Sequence, residues 1–164
     1  MKNSVVLLLG SNMGNRLENL ATAKKILQEK YDALLLKESS IYETAAWGNT
    51  NQPSFLNQVL MMETESNPDT LLKGILETEN QIGRERKEKW EPRTIDIDIL
   101  FFNDLILNSD KLVIPHPHLH ERKFTLVPLA EIIPRWIHPV IQKSVLTLLN
   151  ELNDSLEVKK FMPA

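Results

Sequence analysis

Residues 90 to 99 read Trp90-Glu91-Pro92-Arg93-Thr94-Ile95-Asp96-Ile97-Asp98-Ile99, and the cation-dense run Arg84-Glu85-Arg86-Lys87-Glu88-Lys89 leads straight into them. A strand sends successive side chains to opposite faces. Ile95, Ile97 and Ile99 therefore share one face, and Asp96 and Asp98 share the other. Two carboxylates that close repel, and one tends to stay protonated unless a cation sits between them. Hard oxygen ligands favour Mg2+, usually together with substrate phosphates. The neighbouring cations suit phosphate, Arg as a planar fork and Lys as a point charge. The stretch points to a Mg-nucleotide site. The same alternation also describes a half-exposed strand with a solvated acidic face. The cations upstream weigh against that plainer reading, because they supply the counter-charge of a polyphosphate site.

At 164 residues a single domain over 1–164 is expected, long enough to bury a full core. An apolar fraction of 42% and a charged fraction of 25% are those of an ordinary globular protein. A net charge of −3 argues against a general nucleic-acid binder. The absence of cysteine excludes disulfides, thiolate metal sites and cysteine nucleophiles. Val5 to Leu9 is too short for a signal-peptide core, and no run approaches a membrane span. A soluble, cytoplasmic protein is expected, with no membrane partner.

The continuous apolar run Val5–Leu9 suits a central strand covered on both faces. Gly10-Ser11-Asn12-Met13-Gly14 then breaks it. The lysine and hydroxyl that close a P-loop are absent, so a tight strand-to-helix turn is expected rather than a phosphate cradle. Leu17, Leu20, Ala23, Ile26 and Leu27 predict a helix from Arg16 to about Lys30. Residues 33–42 predict a second strand. The polar segment 43–53, with Gly48 and Pro53, is long for a connection and is a candidate functional loop. Trp47 in it reads equally as an anchor or a lid residue. Phe55–Glu63 predicts a third strand, with Phe55, Asn57, Val59 and Met61 on one face. A buried Asn57 needs partners, either a nearby loop or a heterocyclic ligand.

Asn67-Pro68 is a strong helix start, and Leu71, Leu72, Ile75, Leu76, Glu79 and Ile82 follow with helical spacing up to a Gly83 cap. After the Asp strand, Asn103-Asp104 predicts a hairpin turn into Leu105–Leu107. His116, His118 and His120 alternate, but Pro115 and Pro117 break any regular strand and no Cys completes a familiar zinc site, so loop histidines are expected. Helices are expected over 127–132, despite Pro128, and over 144–152. The tail gives little signal. The order is βαββαβ, which predicts an α+β, ferredoxin-like antiparallel sheet with both helices on one face, plus an added hairpin and C-terminal helices.

Several residues in this order resemble one enzyme family, the 6-hydroxymethyl-7,8-dihydropterin pyrophosphokinases of folate biosynthesis. The resemblance rests on Gly10-Ser11-Asn12, Tyr42-Glu43-Thr44, Phe55-Leu56-Asn57, Gly83-Arg84-Glu85-Arg86-Lys87, Pro115-His116 and Arg122-Lys123-Phe124. Its most specific part is Trp90 through Ile99. It covers nearly the whole chain. It implies transfer of the terminal two phosphates of ATP, as one unit, to the hydroxymethyl group of the reduced pterin, with AMP as the other product. It implies that Asp96 and Asp98 bind two Mg2+ ions and act in catalysis with Arg84 and Arg93. Nucleotide contacts are implied for Glu79, Arg84, Lys87, Trp90, Arg93, His116 and Arg122, with Arg86 and Trp90 in a closing loop. The pterin is implied to stack between Phe55 and Phe124 and to pair its amide edge with Asn57 and the backbone around Thr44 and Ala46. The chain departs from the family pattern at Ala45-Ala46, at Lys89, at Lys111, at Pro117 and in a loop one residue shorter between Lys87 and Trp90. A monomer is expected.

Two other classes fit parts of the pattern. A Mg-dependent nucleotide phosphohydrolase would use the same Asp pair with water as nucleophile. A ferredoxin-like RNA-binding module would need aromatic residues where this strand carries aspartates.

Overall fold

The computed structural model describes residues 2–45, 53–83 and 94–162. Its strands are β1 (Asn3–Ser11), β2 (Leu34–Glu38), β3 (Tyr42–Thr44), β4 (Phe55–Thr64), β5 (Asp96–Phe102), β6 (Leu107–Asn108), β7 (Val113–Ile114) and β8 (Lys159–Lys160). Its helices are α1 (Arg16–Lys30), α2 (Pro68–Ile82), α3 (Lys123–Ile132) and α4 (Val145–Glu151), with a 3-10 turn over Leu119–Glu121.

The main sheet runs β5-β1-β4-β3-β8, and β2 also pairs with β4. Every pairing in it is antiparallel. The single strand expected over 33–42 is two strands. The chain leaves the ladder at Ser39, whose hydroxyl accepts the Val59 amide and whose carbonyl accepts from Gln58 Nε2. Taking β2 and β3 as one position, the order is that of the ferredoxin-like plan.

Polar side chains set the helix starts. Asn15 accepts the Glu18 amide to open α1, Asn67 accepts the Thr70 amide to open α2, and Ser144 accepts the Thr147 amide to open α4. The strand alternation then sorts the core. Val5, Leu7, Leu9, Leu56, Leu60, Ile95, Ile97 and Ile99 bury against Leu20, Ala23 and Leu27 of α1 and Leu71 and Ile75 of α2. Val6, Leu8, Val59, Leu100 and Phe101 bury on the opposite face against Leu126 and Leu129 of α3 and Val145 and Leu148 of α4. That second cover explains why the β1 run is apolar at every position.

Two local expectations change. The Asn103 turn forms, with Asn103 at φ 51, but the hairpin pairs β6 with β7 and not with β5. Gly10 and Ser11 do not start a turn; they continue β1, and the chain turns at residues 13–15. The tail also has structure, since Lys159–Lys160 adds β8 to the edge of β3.

Candidate functional site

The C-terminal helices cover only part of the second face. Where β1 ends, the sheet is bare and floors a cavity of about 460 Å³. The register determines what that floor presents. Gly10 pairs with Asn57 on one side and with Asp96 on the other. Leu8, two residues back, pairs with Val59 and with Asp98. An amide and two carboxylates thus stand on one face, separated by a glycine. Two strand spacings, roughly 9–10 Å, lie between the Asn57 and Asp96 backbones.

Gly10 needs no unusual backbone angle there; it needs to be small. A Cβ built on it would lie 2.6 Å from Asn57 Oδ1. The Asn57 side chain therefore rests directly over Gly10. It is 5% exposed, and its Nδ2 donates to Thr44 Oγ1 at 3.3 Å.

The walls come from four elements. Thr44 and Ala45 follow from β3, Phe55 opens β4, and Arg122 and Phe124 flank the start of α3, with the Arg122 guanidinium 5.6 Å from the Phe124 ring centre. His118 and Glu121 approach from the 3-10 turn, and Asp154 and Leu156 from the tail. Asp96, Asp98, Glu121 and Asp154 outnumber the one described lining cation, Arg122. The Glu121 carboxyl is held below its ordinary range, mainly by the hydrogen bond to His118 and further by nearby cationic groups.

His116 sits beside the Asp pair, with Nε2 4.0 Å from Asp98 Oδ2. Its Nδ1 accepts the His118 amide at 3.1 Å, so the neutral ring carries its proton on Nε2, facing Asp98. Burial, then repulsion from Arg122 and His118, lowers its pKa to about 4, and the ring is neutral at neutral pH. Glu79 approaches from the helix side of the sheet. Its Oε2 accepts the Ile97 amide at 2.8 Å, which fixes the strand between the two aspartates.

The structure thus brings Thr44, Phe55, Asn57, Asp96, Asp98, Arg122 and Phe124 to one cavity, with His116 and Glu79 at its Asp strand. Ala46, Arg84, Lys87, Trp90 and Arg93, like Trp47 and Arg86, lie outside the described residues. Gly10, His118, Glu121, Asp154 and Leu156 were not singled out from the sequence as site residues. For Gly10 the signal was present, because a glycine at the end of an apolar central strand marks a close approach. For Asp154 and Leu156 it was the alternation Leu152, Asp154, Leu156, Val158, which marks an extended segment with one inward face.

Among the described residues no group of three or more His, Cys, Asp or Glu side chains gathers into a metal cluster. The donor chemistry suits Mg2+ nonetheless, since that ion takes one or two carboxylates and completes its shell with water and substrate phosphates. No described helix is long and apolar enough to cross a membrane.

Residues 6–134 match the family model 7,8-dihydro-6-hydroxymethylpterin-pyrophosphokinase. A 2-amino-4-hydroxy-6-hydroxymethyldihydropteridine pyrophosphokinase of Aquifex aeolicus is 43% identical over 140 residues, covering 85% of this chain and 86% of that protein. The enzyme of the same name from Bacillus subtilis is 42% identical, over 80% of this chain and 79% of the relative. Among solved structures, wild-type Plasmodium falciparum HPPK-DHPS with pterin and p-hydroxybenzoate superposes with a TM-score of 0.72 at 20% identity, over 92% of this chain and 43% of that one. At that identity the likeness concerns the fold, and this chain spans less than half of that longer protein.

Proposed function

Because the chain belongs to the 7,8-dihydro-6-hydroxymethylpterin-pyrophosphokinase family and is an ATP-dependent diphosphokinase, we propose that its two substrates meet in the cavity floored by Gly10. The reaction moves a pyrophosphoryl group from ATP to the hydroxymethyl group of 6-hydroxymethyl-7,8-dihydropterin, a step of folate biosynthesis. The hydroxymethyl oxygen forms a bond to the β-phosphorus and gives up its proton to solvent, the bond from that phosphorus to the bridging α,β oxygen breaks, and AMP leaves with that oxygen.

One observation carries the placement. Asn57, Gly10 and Asp96 form a single cross-strand row, with an amide at one end and a carboxylate at the other. A fused bicycle with a hydroxymethyl arm matches that span. Asn57 offers a donor and an acceptor to the amide-like edge of the pterin, and Thr44 Oγ1 holds the Asn57 side chain in place. Phe55 and Phe124 present rings for stacking from two different walls. The hydroxymethyl end then points toward Asp96 and Asp98.

Asp96 and Asp98 are the residues that would hold Mg2+, two ions in this reading. A metal held there would neutralise charge on the ATP phosphates and would polarise the attacking hydroxyl. Four carboxylates around the cavity would otherwise repel a polyphosphate. Arg122 and the neutral His116 provide donors on the phosphate side, and Glu79 fixes the strand behind. Arg84, Lys87, Trp90 and Arg93 are proposed as nucleotide contacts outside the described residues. The protein's work is alignment and charge stabilisation, with no covalent intermediate. Residues 1–164 are proposed to act as one domain, as a monomer and in the cytoplasm.

The test is product identity. With ATP, Mg2+ and the hydroxymethyl-dihydropterin, AMP forms in step with pterin consumption. Pterin-independent phosphate release would favour the phosphohydrolase instead. Asp98→Asn is expected to lower turnover by at least about a hundredfold, the scale of removing one charge-stabilising group, while keeping the wild-type circular dichroism spectrum. Wild-type rates in that variant would refute the metal-site assignment.

A further inference from the structure

The family match ends at residue 134, yet the chain beyond it returns to the cavity. After α4, half-buried Leu152, Asp154, Leu156 and Val158 alternate with exposed Glu151, Asn153, Ser155 and Glu157. That period of two describes an extended segment lying along a surface.

Both ends of the segment are tied to a wall of the cavity. At one end, Asp154 Oδ2 accepts the Lys123 amide at 3.3 Å and Oδ1 accepts the Leu156 amide at 2.9 Å. The first bond matters because α3 lacks a side-chain cap of its own; its N-cap residue is Arg122. Asp154 supplies, from 31 residues away, an acceptor for the first amide of the helix, one of the four that have no partner within it. At the other end, β8 pairs with β3, and the Phe161 amide donates to the Ile41 carbonyl at 2.8 Å. The Phe161 ring lies 5.7 Å from the Arg16 guanidinium, which in turn holds Glu43 of β3 at 2.9 Å. A single segment therefore joins the start of α3, with Phe124, to β3, with Thr44. Asp154 and Leu156 face the cavity between them.

We propose that residues 152–160 form a wall of the pterin pocket and that Asp154 is a positioning residue for it. Its carboxylate holds the first turn of α3, and so the Phe124 ring, at the separation from β3 that a bicyclic ring requires. Leu156 adds apolar surface beside that ring. Asp154 and Leu156 line this cavity together with Ala45, and with Ser54 they border a neighbouring one, so the segment adjoins the wall that carries Thr44 and its effect is expected first on the pterin. This inference rests on the reading of the cavity as the pterin site.

The experiment compares full-length wild type with Asp154→Ala, Asp154→Asn and Leu156→Ala. It measures KM for pterin and for ATP separately. It also measures equilibrium binding of 6-hydroxymethylpterin, by its fluorescence, in the presence of Mg2+ and α,β-methylene-ATP. Asp154→Ala is expected to weaken pterin binding about tenfold, the worth of one net hydrogen bond, with KM for ATP changed less than about twofold. Asp154→Asn keeps one acceptor oxygen and falls between the two. Leu156→Ala weakens pterin binding about threefold through lost apolar contact. Unchanged pterin constants in both alanine variants would overturn the proposal, even if melting temperatures fall. So would pterin and ATP constants that rise together, the mark of general loosening. If Asp154→Ala fails to fold, Leu156→Ala decides alone, since it removes no hydrogen bond. A wild-type chain that does not bind the pterin would instead refute the reading of the cavity, which separates the two failures.

Discussion

Alanine at Gly10 would place a methyl group 2.6 Å from Asn57 Oδ1, closer than real side-chain carbons approach. Something has to move. The β1–β4 ladder is continuous from Asn3↔Thr64 to Ser11↔Leu56, so the strands hold and the Asn57 side chain swings away. The swing breaks the 3.3 Å bond from Asn57 Nδ2 to Thr44 Oγ1. That loss costs about 1 kcal/mol. It is largely offset by about 0.4–1 kcal/mol from the reduced freedom of alanine in the unfolded chain. Stability should therefore change by less than about 1 kcal/mol. The ligand loses more, because the displaced amide offered both a donor and an acceptor. Two hydrogen bonds are worth about 2–3 kcal/mol, or roughly 30- to 150-fold in Kd. Urea denaturation measures the first quantity, and pterin fluorescence titration the second. A double-mutant cycle with Asn57→Ala isolates the mechanism: once Asn57 is truncated, adding Gly10→Ala should weaken binding little further. Pterin affinity within twofold of wild type in Gly10→Ala would refute the reasoning. So would an undiminished effect in the Asn57→Ala background.

Three further outcomes follow from other contacts. Gly74→Ala should destabilise by about 1–2 kcal/mol in urea melts, because overpacking outweighs helix propensity; the added carbon would lie 2.9 Å from the Tyr31 ring. Glu79→Ala removes the acceptor of the Ile97 amide, whereas Glu79→Gln keeps one. The alanine variant should lose about 1–2 kcal/mol and need more Mg2+ for half-maximal activity, with glutamine largely restoring both. His138 is buried, its Nδ1 accepts the Val140 and Ile141 amides, and burial followed by repulsion from His120 lowers its pKa. The unfolded chain then binds the proton more readily, so this contribution is full above about pH 6.5. It fades as pH falls from there through the depressed folded value. His138→Asn should flatten the fall in urea midpoint between about pH 7 and pH 5.

The parts of the molecule that sequence reasoning found were those with a local cause. The helix from Arg16 to Lys30 and the start of α2 at Asn67-Pro68 follow from apolar spacing and capping residues. The two-faced burial of Val5–Leu9 follows from an uninterrupted apolar run. The parts it mistook turn on partners far away in the chain. The segment 33–42 splits into two strands because Ser39 and Gln58 bond each other's strand, and nothing in the run itself marks that break. Leu107 pairs with Ile114 and not with β5, although β5 is an edge strand of the main sheet, and nothing in the run after Asn103 marks that choice.

Within the site the division is similar. Alternation alone put Asp96 and Asp98 on one face, because the period of a strand is a property of its own backbone. The motif carried the identity of the substrates. Only the tertiary register could set Gly10 between Asn57 and Asp96, since that row joins three strands through pairings tens of residues apart. Only packing could bring Asp154 to the start of α3. A side chain's direction is local, but the groups it meets depend on how distant segments close over one another, and that closure makes the cavity.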